Sequence, residues 1–419
     1  MKAWGLAFAA VGTIAAAIQV PAKPQDYSIF LSGNAQGYLA PCGCSFPMLG
    51  GAKRRATAIK KQGIPGRTLL LENGGLVKGV GRQDEIKLET FGQLHASSHG
   101  AILNLTPSEA ALGPGALLSM SRLSEGRVLS ASLKPTTDLG VKPYRVEGPF
   151  LLGGATSRAD AMAPLLGADA VALDEAVNTL VDLANSNRKS LLLVFDGTRD
   201  EAATVARKFP SIALIHYRSI GTPQAKSERI GNVLLASPGD GGKHLVRLVW
   251  KNGRFVSYVP IALDPSYADE PVAKGIYKTY LNRVSAEQLL NEMPRSETPR
   301  FAGNDKCGSC HAEAANTWKH SKHAVGLKTL EKIGHDRDPD CVECHVVGLA
   351  SVYGFRSRSE TPQLAHVGCE SCHGPGKAHA ESPLSQRMGA VGAKSCMPCH
   401  TVENSPGFEF AKYWARIRH

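Results

Sequence analysis

The segment Cys307-Gly-Ser-Cys310-His311 is the first of four Cys-x-x-Cys-His motifs between Phe301 and His419. The other three are Cys341-Val-Glu-Cys344-His345, Cys369-Glu-Ser-Cys372-His373 and Cys396-Met-Pro-Cys399-His400. This pattern is typical of c-type haem attachment. The two thiols form thioethers with the haem vinyl groups, and the adjacent histidine ligates the iron. The sequence therefore predicts four covalently bound haems.

Zinc is the alternative cofactor for these motifs. Two Cys-x-x-Cys pairs can form a tetrahedral structural zinc site. Such a site does not need a histidine after every pair, whereas haem attachment does. Because a histidine follows all four pairs, haem is favoured over zinc.

The spacing of the motifs also predicts the architecture of residues 301–419. Four haems leave roughly thirty residues for each macrocycle, which is too few for an ordinary apolar core. We therefore expect a small, mainly α, haem-packed domain in which short helices and loops surround the haems. Haems that are so crowded lie close together and form an electron relay.

Composition limits the classes of partner. The chain has 419 residues, 43% of them hydrophobic, and a net charge of +11. Each haem carries two propionates, so four haems would offset roughly eight of these charges. The basic residues are scattered rather than clustered, which argues against a nucleic-acid partner.

The first 22 residues are typical of a secretory signal peptide. Lys2 precedes an apolar, alanine-rich stretch that ends at Val20, and Val20-Pro21-Ala22 suits a small-residue cleavage rule. We expect cleavage and a bacterial periplasmic location, with membrane contact only if the leader is uncleaved. This location agrees with c-type haem attachment, which takes place outside the cytoplasm.

Residues 24–262 alternate between strand and helix patterns, which predicts a layered α/β sandwich with a largely parallel sheet. Apolar runs such as Ser28–Ser32 and Ser190–Phe195 indicate buried strands, and Lys251–Arg254 indicates a hairpin turn. Residues 263–300 contain several prolines and a helical pattern, so we interpret them as a helical linker.

The α/β part resembles the N-terminal, metallophosphoesterase-like domain of the 5′-nucleotidase family. The resemblance lies in the segments Leu31–Leu39, Gly50–Arg54 and Leu69–Gly75. It implies a two-metal site, yet Asn34, Gln36 and Gly75 stand at expected ligand positions.

Later ligand positions of this family are also altered. No histidine occurs within 106–109, only His216 occurs within 216–219, and Asp196 takes a further histidine position. We therefore expect an inactive domain without catalytic residues. His95, His99, His216 and His244 are interpreted as surface or satisfied core residues.

Cys42 and Cys44 lie outside the haem motifs, after the first strand. Two thiols one residue apart could bind a soft metal or form a reducible disulfide. A structural pair without turnover is the alternative.

Six further histidines in the haem segment are candidates for the second axial position: His320, His323, His335, His366, His379 and His419. The segment resembles the tetrahaem cytochrome c-554 family in its Ser-Lys-His-Ala element, its Gly-Cys-Glu-Ser-Cys-His-Gly-Pro-Gly block and its terminal run. This resemblance implies that His323 ligates the haem of His373, His379 that of His311, and His419 that of His400. The haem of His345 would lack a strong protein ligand.

These features predict an electron carrier that relays electrons between redox partner proteins, with the α/β part as a docking domain. An enzyme is the alternative, either reducing a small nitrogen or oxygen species at the His345 haem or using Cys42 and Cys44. A live nucleotidase fused to a cytochrome is the weakest interpretation, because the metal ligands are missing.

Overall fold

The computed structural model describes residues 25–41, 47–98, 100–402 and 404–419. The predicted signal peptide and the pair Cys42 and Cys44 lie outside these residues, as does His99. None of the helices in the described part is both long and apolar enough to cross a membrane.

The N-terminal part is an α/β sandwich, as the sequence predicted. Its strands are β1 (Tyr27–Ser32), β2 (Thr68–Glu72), β3 (Ile102–Asn104), β4 (Val128–Leu129), β5 (Leu133–Pro135), β6 (Val141–Lys142), β7 (Tyr144–Glu147), β8 (Phe150–Thr156), β9 (Ala168–Ala170), β10 (Ser190–Asp196), β11 (Leu214–Tyr217), β12 (Glu228–Ile230), β13 (Val233–Ala236), β14 (His244–Lys251) and β15 (Arg254–Ala262).

These strands form two stacked sheets. One sheet has the order β15-β14-β1-β2-β3-β4-β6 and the other β12-β13-β11-β10-β8-β7, while β5 and β9 pair separately. Strands β1 to β4 are mutually parallel, as are β8, β10, β11 and β13. The hairpin between β14 and β15 turns at Asn252 and Gly253, whose positive φ angles of 51° and 79° suit a tight turn.

Helices cover the outer faces of both sheets. They are α1 (Ala52–Gln62), α2 (Arg82–Ser97), α3 (Pro107–Ala110), α4 (Gly113–Leu123), α5 (Ala159–Met162), α6 (Leu173–Ser186), α7 (Arg199–Lys208) and α8 (Pro271–Ala286). Leucines and valines from both sheets fill the space between them, including Leu31, Leu71, Val194 and Leu234. Because the two parallel blocks end at the same edge, that edge brings together loops from both sheets.

Helix α8 lies in the segment that the sequence suggested as a linker. Its residues Ala273, Tyr277, Tyr280 and Val284 are buried in the same apolar cluster as α2 and α4. The segment therefore packs on the α/β sandwich along one helical face. Two prolines near its start had favoured the linker interpretation.

The C-terminal part is mainly helical, as predicted. Its helices are α9 (Asn304–Gly308), α10 (Ala312–Lys319), α11 (Gly326–Glu331), α12 (Pro339–Val342), α13 (Cys369–His373), α14 (Lys377–Glu381), α15 (Ala393–Cys396) and α16 (Phe410–Trp414). One small apolar cluster includes Leu327, Val342, Val346, Phe355 and Leu364. The expectation that this segment has no apolar core is therefore wrong for residues 327–365, where medium-sized apolar side chains meet.

Candidate haem sites and the edge of the sandwich

Each Cys-x-x-Cys-His motif is bent into a helical turn. In the first motif, the backbone N–H groups of Cys310 and His311 donate to the Cys307 carbonyl at 3.2 and 3.0 Å. In the fourth motif, Cys399 and His400 donate to the Cys396 carbonyl at 3.3 and 2.9 Å. Residues three apart lie on one side of a helical turn, so both thiols can reach the edge of one macrocycle.

Three motif histidines face a second histidine. The ring centroids of His311 and His379 are 6.2 Å apart, those of His323 and His400 are 6.3 Å apart, and those of His373 and His419 are 5.9 Å apart. The gap between the two rings is similar in all three pairs.

This gap suits an iron atom between two imidazoles. A bond between a metal and an imidazole nitrogen is about 2 Å long, and each ring adds about 1 Å between nitrogen and centroid. Two axial ligands on one metal thus separate the ring centroids by roughly 6 Å. All three pairs match this separation. When bound, a haem would supply a one-electron couple at each pair.

Hydrogen bonds at Nδ1 leave the other ring nitrogen available. The Nδ1 atoms of His345, His379 and His419 lie 2.8, 2.5 and 3.0 Å from the backbone carbonyls of Gly326, Gln386 and Ile417. A carbonyl only accepts, so each Nδ1 carries the proton and Nε2 keeps its lone pair. This tautomer is the one that ligates a metal through Nε2.

Two of the predicted ligand pairings are wrong. His379 faces His311, as the resemblance implied, but His323 faces His400 and His419 faces His373. The reason lies in the tail. Phe408 stacks on the His400 ring with centroids 4.8 Å apart, so the chain folds back over its own motif. The end of the tail then reaches the neighbouring motif.

His345 differs from the other motif histidines. Among the ring contacts of the described residues, none pairs His345 with another histidine. The spare histidines nearby have other contacts. The His335 Nε2 lies 3.4 Å from the Tyr277 hydroxyl and its Nδ1 lies 4.0 Å from the Cys341 Sγ of this motif. His366 accepts a hydrogen bond from the Leu327 N–H at 3.1 Å. His320 is exposed and bonds to the Asn316 carbonyl.

A cavity of about 370 Å³ lies between the first and third motifs. Cys307, Cys310, His311, His379 and His419 contribute to its lining, together with Cys369 and His373. Its lining is largely apolar and contains both facing pairs of this region, so the residues present fit haem.

The motifs are arranged in two neighbouring pairs. The Cys307 thiol lies close enough to that of Cys369 to raise its own pKa, and the Cys399 thiol close enough to that of Cys344 to lower the pKa of Cys344. Helix α13 of the third motif also contacts α15 of the fourth. The spatial order is therefore first, third, fourth and second motif.

The second motif is anchored on the α/β sandwich through Asp338. This buried carboxylate accepts hydrogen bonds from the Gln83 Nε2 at 2.8 Å, the Tyr280 hydroxyl at 3.0 Å and the Asp340 N–H at 3.1 Å. It caps α12, which carries Cys341. Burial, with the Asp340 charge, raises the pKa of Asp338 to about 6.

Sequence reasoning missed this anchor. An aspartate followed by proline is a common helix start, and Asp338-Pro339 provided that signal. The tertiary partners Gln83 and Tyr280 could not be read from the sequence because they lie far away in the chain. A second contact, between Lys87 and Asp340, joins the same two parts.

The edge of the sandwich does not fit the two metals that its fold family implies. Gly75 has a φ of +62°, and a Cβ at this position would lie 2.8 Å from the Asn34 Oδ1. A metal-bridging carboxylate is therefore excluded at the position expected for it. Asp196 is fully buried and bonded to two arginines, Arg158 and Arg218. Guanidinium groups thus pair with this carboxylate where the fold family would place metal ions. No metal chemistry is assigned to this edge.

One histidine of this domain differs from the sequence interpretation. His95 and His216 are both completely buried, and the His95 Nε2 lies 3.5 Å from the Glu72 carboxylate. The His216 ring forms no hydrogen bond within the described residues, so it is a core histidine that is not satisfied. His244 is half-buried.

The C-terminal segment matches the family described as cytochrome c554 and c-prime over residues 306–374. It is 39% identical over 121 residues to cytochrome c-554 of Nitrosomonas europaea, a match that covers 25% of this chain and 49% of that protein. The chain thus spans about half the length of this curated relative. The predicted resemblance to c-type cytochromes of this kind is confirmed.

The α/β part is similar to solved structures of another kind. They include a 5′-nucleotidase precursor from Thermus thermophilus (TM-score 0.54, 16% identity, 66% of this chain and 62% of that one). An NAD nucleotidase from Haemophilus influenzae has a TM-score of 0.52 at 13% identity, covering 68% of this chain and 65% of that one. At such identities the likeness establishes the fold alone, and it confirms the predicted α/β class.

Proposed function

We propose that the protein is an exported electron carrier with four c-type haems that relays electrons between redox partner proteins in the periplasm. The observation that carries this proposal is the set of three facing histidine pairs, 5.9 to 6.3 Å apart, in a segment with four attachment motifs. An iron with two imidazole ligands has no open position, so it passes electrons and binds no substrate.

The arrangement of the motifs supports a linear path. We expect electrons to pass along the haems of His311, His373, His400 and His345, because neighbouring motifs in this series are in contact. The haem of His345 then lies beside the α/β sandwich, which Asp338 contacts. This proximity supports a role of the sandwich as a docking domain for a partner.

The haem count and the export are tested together. We expect the mature protein from a periplasmic fraction to begin after residue 22 and to keep four haem masses after acid–acetone extraction. Intact mass spectrometry measures both. Extraction of the haem, a count other than four, or a protein that remains in the cytoplasm would refute the corresponding part of the proposal.

A second function is favoured by the environment of His345. Because this histidine faces no second imidazole among the described residues, its iron could bind and reduce a small nitrogen or oxygen species. Adding nitrite or cyanide to the ferric protein separates the two functions. A high-spin signal that shifts on addition supports reduction chemistry, and unchanged low-spin spectra support electron transfer alone.

Thiol or soft-metal chemistry at Cys42 and Cys44 is a further alternative that rests on the sequence. The test is a holoprotein in which both cysteines are replaced by serine. Loss of a thiol or soft-metal activity, with electron transfer between the haems unchanged, would support this alternative.

A further inference from the structure

We propose that the buried carboxylate of Glu370 lowers the reduction potentials of the His311 and His373 haems together. It thereby directs electrons away from this end of the relay. The inference rests on the electron-carrier function proposed above and names the residue that gives the path its direction.

Glu370 lies inside the third attachment motif, between Cys369 and Cys372. It lines the cavity between the first and third motifs and is only 4% exposed. Carboxylates are almost never buried to this extent unless other groups stabilise their charge. The cavity that fits haem therefore has an acidic side chain in its wall.

Three backbone N–H groups stabilise this carboxylate. Ala302 donates to Oε1 and Gly303 to Oε2, each at 2.8 Å, and Gly376 donates to Oε1 at 2.6 Å. All three partners are donors, so both oxygens act as acceptors only, as in an ionised carboxylate. These hydrogen bonds stabilise the negative charge without cancelling it.

The basic residues near Glu370 have other partners or face solvent. Among the described residues, none forms an ion pair with this carboxylate. Lys377 pairs with Glu381 at 3.8 Å, and the Arg300 guanidinium lies over the Tyr353 ring. Lys306 lines the same cavity but is exposed, so solvent screens its charge. Glu370 thus contributes a net negative charge at the cavity.

The charge of Glu370 reaches both motifs of the cavity. In the third motif it adjoins Cys369 directly. In the first motif, the Cys369 thiol, burial and the Glu370 charge raise the pKa of the Cys307 thiol. The hydrogen bond from Gly303 fixes this arrangement, because Gly303 caps α9, the helix that carries Cys307. One carboxylate therefore acts on the attachment sites of two haems.

A buried negative charge favours ferric over ferrous iron. Reduction adds one electron and lowers the positive charge of the iron by one, so it weakens the attraction to a nearby carboxylate. This attraction is much stronger in a buried site than in water. Glu370 therefore lowers the potentials of both haems of the cavity.

The lower potentials give the relay a direction. Electrons pass spontaneously from a lower to a higher potential. The His345 haem has no facing imidazole among the described residues and so lacks one donor that stabilises ferric iron. We expect electrons to move from the His311 and His373 haems towards those of His400 and His345.

The test is a redox titration of the full-length holoprotein with dithionite as the electron donor, followed by electron paramagnetic resonance at constant pH and ionic strength. Glu370→Gln should raise two of the four midpoint potentials, and these two should be the lowest in the wild type. The expected change in each reduction equilibrium is at least tenfold, which corresponds to about 59 mV for a one-electron couple. The other two potentials should change by less than this.

The matched control is Glu343→Gln. Glu343 lies inside the second motif, next to Cys344, but it is exposed. Solvent screens its charge, so all four reduction equilibria should change by less than tenfold.

A second substitution identifies the affected haems. His419→Ala should mark the His373 haem with a high-spin signal, and His379→Ala should mark the His311 haem in the same way. Adding Glu370→Gln to either background should raise the midpoint potential of the marked haem further.

Two more variants separate the charge of Glu370 from its hydrogen bonds. Ala302→Lys keeps the three backbone donors and adds an ammonium group beside the carboxylate. It should raise the same two potentials, and it provides the test if Glu370→Gln does not fold. Glu370→Asp keeps the charge on a shorter side chain and should have potentials close to those of the wild type.

Several results would overturn this role of Glu370. These are unchanged potentials in Glu370→Gln or Ala302→Lys holoprotein, an equal shift of all four haems, responsive haems that are not the lowest in the wild type, or a shift in Glu370→Asp as large as that in Glu370→Gln. A wild type with fewer than four haem masses or without low-spin signals would instead contradict the electron-carrier proposal.

Discussion

The His373 and His419 rings face each other at 5.9 Å, and the Nδ1 of His419 bonds to the Ile417 carbonyl. We expect His419→Ala to convert one low-spin ferric haem to high spin. Its potential should rise, because a donor that stabilises ferric iron is lost. Electron paramagnetic resonance and a redox titration measure the two effects.

The matched control for this substitution is His320→Ala. His320 is exposed and bonds to the Asn316 carbonyl in the same domain. Its removal should leave every haem signal unchanged. Intact low-spin signals in His419→Ala would show that the His373 haem takes its second ligand from another residue.

Asp338 predicts a defined dependence of stability on pH. Its native pKa of about 6 lies above the value of about 3.9 expected in the unfolded chain. Between these values the native state holds a proton that the unfolded state has released. The free energy of unfolding therefore falls as pH rises from about 4 to 6, by roughly 2–3 kcal/mol from this group.

Replacing Asp338 with Asn removes this titration. Asp338→Asn should be more stable than the wild type near pH 7 and lose this slope between pH 4 and 6. Denaturant titrations of both proteins at pH 4.5 and 7.5 measure the difference. Equal slopes would show that Asp338 does not titrate in this range.

Among the helices, α8 provides a test with an internal control. Val284 is 1% exposed, whereas Val272 on the same helix is 57% exposed. Val284→Asp places a charge in the apolar cluster and should lower the free energy of unfolding by about 3 kcal/mol or more. Val272→Asp lies in the first turn and should change it by less than about 0.5 kcal/mol.

Thermal or denaturant unfolding of the two variants decides this prediction. Similar stabilities would mean that α8 is not part of the core. Because Tyr280 of the same helix bonds to Asp338, Val284→Asp should also shift the spectrum of the His345 haem.

Helices and strands were predictable where their residues follow a local pattern. The strands β1, β2 and β10 contain continuous apolar runs, and the motifs impose a helical turn through their own spacing. Helix α8 was interpreted as a linker because its packing depends on α2, which is distant in sequence. The predicted partners of His323 and His419 were wrong for the same reason. The fold of the tail, rather than local spacing, decides which motif histidine each ring faces.

Across the whole molecule, the contact between Lys87 and Asp340 joins the sandwich to the second motif. The Lys87 side chain is only 6% exposed. Its removal therefore leaves the Asp340 carboxylate without its buried ammonium partner. We expect Lys87→Glu to separate one calorimetric unfolding transition into two, because like charges then face each other across the contact.

The reversal Asp340→Lys in the Lys87→Glu background is the control. It should restore a single transition, with a coupling free energy on the order of 1–3 kcal/mol. A single transition in Lys87→Glu, or no rescue in the double variant, would contradict this role. The pairing of two arginines with Asp196 could not have been predicted from the sequence, since Arg158 and Arg218 meet at this carboxylate only after the sheets assemble.

The capping of α12 by Asp338 has a consequence for biosynthesis. The sandwich and α8 precede the second motif in the chain, so Gln83 and Tyr280 can already be in place outside the cytoplasm when Asp338 reaches them. The three other motifs gain their second histidine from within the haem segment itself. The second motif should instead receive its haem while it is packed against the folded sandwich. Destabilising the sandwich should therefore impair haem attachment at Cys341 and Cys344 before it affects the other motifs.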